Sequence, residues 1–240
     1  MSPTSVSRNL DGKNILITGA SSGIGRSTAL EFARTSPFNL KLILTARRVD
    51  RLLELKEKIR QEVGDGVKVC IKELDVSKKE EIDALVEGLP EEFRDVDVLV
   101  NNAYVMKERG GFMSGVERPP DVPPDVISSV YATNVMGVIH MTQAILPILK
   151  RRPDGGKGDI IMLGSIAGRD AYVGGTEFTN IRYRFDKEKA DAVYAGCDPL
   201  TPEDVAEVIV FAAGRRENVV IADTLLYPSY QASSTDIHRR

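Results

Sequence analysis

Short, almost wholly apolar runs alternate with longer stretches in which apolar residues recur every three or four positions. The runs at 14–18, 41–46, 67–75, 96–103, 158–165 and 219–227 read as strands. Runs so poor in polar residues suit strands covered on both faces. Between them, 23–34 reads as a helix, and a second opens with Asp50 as its cap and Leu52, Leu53, Leu55 and Ile59 on one face. Ser77-Lys-Lys-Glu80 has capping-box spacing ahead of a helix that turns Ile82, Leu85 and Val86 inward. A long helix is expected over 126–150. Thr201-Pro202-Glu203-Asp204 starts a last one, which Gly214 stops. Strand and helix in alternation predict an α/β fold, a doubly wound parallel sheet in one domain over 1–240. Three stretches fall outside that pattern. Residues 1–10 read as a flexible start, 104–125 as an irregular, insertion-like loop rich in Gly and Pro, and 166–200 as a region with no strand-like run.

Composition narrows the function. The 240 residues carry 32 Lys+Arg against 35 Asp+Glu, a net charge of -3. That balance excludes binding to nucleic acid by phosphate neutralisation. Cys70 and Cys197 make no disulfide framework and point to a reducing compartment, so a cytoplasmic protein is expected. His140 and His238 are too few for a histidine metal site. No apolar run is expected to span a bilayer, and the N-terminus lacks the pattern of a secretory signal. The expected partner is a small-molecule substrate, with neither nucleic acid nor membrane.

The chemistry gathers after the first strand, in Thr18-Gly19-Ala20-Ser21-Ser22-Gly23-Ile24-Gly25. Glycines at 19, 23 and 25 permit a tight turn and close approach of backbone to a pyrophosphate. The helix that follows offers free N–H groups and the positive end of its dipole. A glycine triplet is weak alone. A strand before it, a helix after it, and a second strand ending about twenty residues on give it the right context. That second strand ends in Arg47-Arg48, where an acidic residue would select NAD. Guanidinium forks match a 2′-phosphate, which predicts NADP with Arg47 as the main contact. The alternative is that both arginines are solvated charges at a helix entry.

These motifs resemble the short-chain dehydrogenase/reductase family. The glycine loop resembles its cofactor loop, and Asp75-Val76 the pair that holds the adenine. Asn101-Asn102-Ala103 resembles its Asn-Asn-Ala-Gly motif, with Tyr104 in place of the last glycine. Asn134 matches the helix asparagine of the catalytic tetrad and Ser165 the catalytic serine. Within the family, Gly164 to Tyr172 and Asn218 to Leu226 are most similar to microbial NADP-dependent 3-hydroxy acid dehydrogenases. The resemblance implies hydride transfer between NADP(H) and a small hydroxy acid or carbonyl compound. By the same resemblance, the serine polarises the substrate oxygen and the asparagine supports a water relay.

One departure is large. The family places Tyr-x-x-x-Lys about a dozen residues after the serine, on a helix followed by a sixth strand. Here the text passes from Gly174-Gly-Thr176 to Glu177-Phe178, which resembles the loop beyond that strand. The expectation is that helix and strand are missing, so the sheet is incomplete in its C-terminal half and the usual dimer contact is weakened. Tyr183 and Lys187 form a literal Tyr-x-x-x-Lys, but too late and in a segment resembling the substrate loop. Three readings stay open: an oxidoreductase, an NADP-binding protein without turnover, and an aberrant product that folds poorly.

Overall fold

The computed structural model describes residues 5–105, 123–152, 156–165 and 198–231. Among them, five parallel strands form one sheet: β1 (Asn14–Thr18), β2 (Leu40–Ala46), β3 (Val67–Glu73), β4 (Val98–Asn101) and β5 (Asp159–Met162), in the order β3-β2-β1-β4-β5. Strand order reverses between β1 and β4, which pair Ile15 with Val98 and Ile17 with Val100. The carboxyl ends of strands at such a reversal open a crevice, the usual ligand position in this architecture. β1 and β4 are buried throughout, as their unbroken apolar runs demand.

Helices cover both faces. On one lie α1 (Ser5–Leu10), α2 (Gly23–Thr35), α3 (Val49–Val63) and α7 (Pro202–Ala213). The core there joins Ile15, Ile17, Phe32, Leu42, Leu44, Leu52, Leu55 and Val210. On the other lie α4 (Lys79–Glu87), α5 (Pro124–Tyr131) and α6 (Val138–Lys150), with a π-type turn, Ala132–Gly137, between the last two. Leu16, Ile43, Ile82, Leu85, Leu99, Met141 and Ile145 form that core. The fold is the α/β parallel sheet that the alternating pattern predicts.

Several local expectations are corrected. Asp50 does not cap α3. It sits in the first turn, where its charge favours the helix dipole, and Arg48 occupies the cap position. Leu53 points outward, 57% exposed, because it lies off the stripe made by Leu52, Leu55 and Ile59. Ser77 makes no capping box with Glu80. Its hydroxyl donates instead to Asp75 Oδ1, at 2.7 Å, and α4 starts at Lys79. The expected flexible start is helical over Ser5–Leu10, with Leu10 buried and Asn9 Nδ2 donating to Gly214 O at 2.8 Å. Thr201 does cap α7, in a reciprocal box with Asp204. By length and composition Pro124–Lys150 suffices to cross a membrane, against the expectation that no run does. Its inner stripe of Met141, Ile145, Ile148 and Leu149 packs into the core instead.

The largest correction concerns 219–227. This β-branched run is no strand, and Val220 is 85% exposed. Among the described residues β5 pairs with β4 alone, and no sixth strand stands beside it for 219–227 to join. Among the described residues β5 is therefore an edge, with Met162 59% exposed at its end. Open apolar edges template pairing with other chains. Met162→Lys should lower light scattering of concentrated protein while shifting stability by less than about 0.5 kcal/mol. Scattering that does not change would show that the β5 edge is not the adhesive surface.

Candidate active site

The crevice is built where β1 ends. Thr18 Oγ1 accepts N–H bonds from Asn102 at 3.0 Å and Ala103 at 2.9 Å, and donates to Val100 O at 3.3 Å. The Asn102 amide returns the contact, donating to Thr18 O at 2.8 Å and Gly19 O at 3.2 Å. The ends of β1 and β4 are thus laced together with their polar groups satisfied. Gly19 has φ +69, and a Cβ there would stand 2.8 Å from Ala103 Cα. A Cβ on Gly25 would stand 2.6 Å from Gly19 O. Gly23 has φ +51. The three expected glycines are therefore required by this backbone, before any ligand is considered.

The same turn leaves α2 without a side-chain cap. Ser22, at the cap position, is extended and makes no such bond. The first amides of α2, from Gly23, Ile24 and Gly25, have no side-chain cap, and the positive end of the helix dipole lies there. That arrangement can hold a phosphate. The Arg48 guanidinium lies over the loop. Its Nη2 donates to Ser21 Oγ at 2.9 Å and Ser22 Oγ at 2.7 Å, and its Nε to Ser21 Oγ at 3.2 Å. Arg47 is exposed, and its charge acts on Asp75. Arg48 joins the serine hydroxyls, while Arg47 faces the neighbouring turn.

That turn follows β3. Asp75 Oδ1 accepts from the backbone N–H and the hydroxyl of Ser77, at 3.0 and 2.7 Å. Partial burial raises the Asp75 pKa, but the Ser77 bonds and the nearby Arg47 outweigh it, so the carboxyl sits below its ordinary value. Val76 is buried against Gly137, where a Cβ would stand 2.8 Å from Val76 O. Asn134 lies in the π-type turn. Its Oδ1 accepts from Val105 N at 2.9 Å and its Nδ2 donates to Val105 O at 3.0 Å. This two-way clasp holds the chain leaving β4. Ser165 is exposed, three residues beyond the end of β5. Tyr183 and Lys187 lie outside the described residues, as does the junction between Gly174 and Glu177.

Two contributors were missed. Thr18 opens the glycine loop in the sequence reading, which gives its hydroxyl no role, although a hydroxyl buried where a ladder stops needs a local partner. Gly137 was passed over inside a helix. A glycine there is costly enough to have marked a close approach.

Comparison with known proteins now decides the family. A short chain dehydrogenase family model matches residues 13–179. The chain belongs to that family. Its relatives include an NADP-dependent 3-hydroxy acid dehydrogenase from Schizosaccharomyces pombe, 42% identical over 96% of this chain and 98% of that protein. Another is a serine 3-dehydrogenase from Rhizobium radiobacter, 31% identical over 91% of this chain and 94% of its own. Among solved structures, the closed form of a serine dehydrogenase complexed with NADP+ superposes with a TM-score of 0.76. It is 29% identical and covers 94% of this chain and 99% of its own. In this short-chain dehydrogenase, the loop after β1 and the end of β4 meet as one unit.

Gly19→Ala tests that unit. The substituted residue must leave its backbone conformation or displace Ala103, at about 2 kcal/mol. The melting temperature should fall by roughly 4–8 °C. An unchanged melting temperature would contradict the close approach.

Proposed function

We propose that this chain is an NADP-dependent oxidoreductase, built to pass hydride between NADP(H) and a small 3-hydroxy acid or its carbonyl partner. The observation that carries the reading is the cluster of Arg48 over Ser21 and Ser22, beside a glycine turn with no room for a side chain. One guanidinium and two hydroxyls form a donor set matched to the 2′-phosphate of NADP, and arginine stands at the strand-end position where a carboxylate would favour NAD. Gly19, Gly23, Ile24 and Gly25 hold the pyrophosphate with backbone amides. Asp75 and Val76 take the adenine, and Asn102 and Ala103 line the path toward the nicotinamide. The 3-hydroxy acid class comes from the relatives, and a cytoplasmic setting and a homo-oligomer with a weakened contact come from the sequence reading.

When bound, NADP(H) supplies or accepts the hydride. The residues of the chain do the rest. Ser165, past the end of a strand beside the crevice, donates a hydrogen bond to the substrate oxygen. Asn134, clasped to Val105, fixes the chain that leaves Ala103. The developing alkoxide still needs a proton donor.

A second reading has its own support. The 42% identity with the fission yeast relative extends over 268 aligned positions, more than the 240 residues of this chain. The relative thus carries residues with no counterpart here. A lost Tyr-x-x-x-Lys helix and sixth strand would account for that excess and for the unpaired 219–227 segment. Such a chain would bind NADPH and turn over poorly.

Incubation with NADP+ and L-serine separates the readings. Growth of NADPH absorbance supports the oxidoreductase. Tight NADPH binding with no turnover, and activity gained when the relative's helix and strand are inserted after Gly174, supports the second. Independently, Arg48→Ala should weaken NADPH roughly tenfold and leave NADH within about threefold. Equal losses for both coenzymes would remove Arg48 from the 2′-phosphate.

A further inference from the structure

Past the end of β3 the chain turns sharply, and its polar groups need new partners. Leu74 N still donates across to Ala46 O, at 3.2 Å. The next amide, Asp75 N, has left the ladder. Its acceptor is Glu81 Oε2, at 2.7 Å, reached from six residues on in α4. The other oxygen, Glu81 Oε1, accepts from Lys78 Nζ at 2.6 Å. The two bonds fix both ends of the Glu81 carboxylate. Lys78 N closes the turn on Asp75 O at 3.0 Å, and Gly137 presses beneath Val76 O. Ser77 takes Asp75 Oδ1 twice, which leaves Oδ2 as the acceptor for a ligand donor.

We propose that Glu81 is a positioning residue for adenine recognition: its carboxylate, bonded to the Asp75 amide, fixes the turn from which Asp75 reads the exocyclic amino group. This rests on the reading of Asp75 as the adenine contact. Glu81 touches no ligand itself. It acts by removing a freedom, because a backbone amide without an acceptor at this point would let the turn rotate toward water. The carboxylate is well suited, since a charged acceptor makes a shorter and stronger bond than a neutral one. Its pKa is lowered by the Lys78 bond and then by the Asp75 amide, so it stays ionised at neutral pH. Burial contributes little, because the Glu81 side chain is 36% exposed. The residue is therefore placed by its bonds, and its replacement leaves the core intact.

The distinguishing readout is selectivity between bases. NADPH carries an amino group at adenine C6, and its hypoxanthine analogue carries a carbonyl oxygen there. A fixed Asp75 carboxylate accepts from the amino group and repels the oxygen. The unaltered chain should prefer NADPH by roughly tenfold. Glu81→Ala and Glu81→Asp, the second keeping the charge but shortening its reach, should bring that ratio to about threefold or less. Glu81→Gln retains an oxygen acceptor and should keep most of the preference. Lys78→Ala removes only the ion pair and should keep all of it. A merely structural role would weaken both coenzymes together and leave the ratio alone. That outcome, or a loss of preference in Lys78→Ala equal to that in Glu81→Ala, overturns the proposal. If the unaltered chain binds neither coenzyme, the cofactor reading itself falls, and the brace with it. If it binds both without preference, Asp75 is no adenine contact and Glu81 positions nothing.

Discussion

The structure turns on the contact between the end of β1 and the end of β4. Thr18, Gly19, Asn102 and Ala103 share four hydrogen bonds in a space that admits no Cβ at residue 19. Each strand end would otherwise carry unpaired amides and carbonyls into a half-buried site, where an unmet polar group costs about 1–3 kcal/mol. Lacing them together satisfies the groups and sets the depth of the crevice. The turn that follows leads into α2, whose first amides have no side-chain cap. The proposed anion site is the by-product of closing the sheet.

Much of this was legible in the sequence, because it depends on local rules. Apolar runs gave the five observed strands, and the glycines at 19, 23 and 25 were read from spacing and context. What failed depended on partners distant in the chain. Asp50 looks like a cap until Arg48 takes that place and turns its side chain to Ser21 and Ser22. Ser77 and Glu80 have capping-box spacing, but Asp75 competes for the hydroxyl and wins. The run at 219–227 has every local mark of a strand. A strand is a property of a pair, and among the described residues its neighbour is lacking.

The site divides into two halves of different completeness. The nucleotide half, from Gly19 through Arg48 and Asp75 to Asn102, is held by bonds within the described residues and by close packing at Gly25 and Gly137. The proposed substrate half rests on Asn134, clasped to Val105, and on Ser165, three residues beyond β5. A binding site can persist without its proton donor, because the forces that grip a phosphate do not depend on it. Under the proposed reading without turnover, the chain would grip the coenzyme and still lack catalysis.

Titration calorimetry of the folded, unaltered chain with NADPH and with NADH is the most direct test of the proposed nucleotide site. The account predicts a heat of binding for NADPH with an affinity at least about tenfold above that for NADH. No heat with either coenzyme, or equal affinity for both, would contradict it.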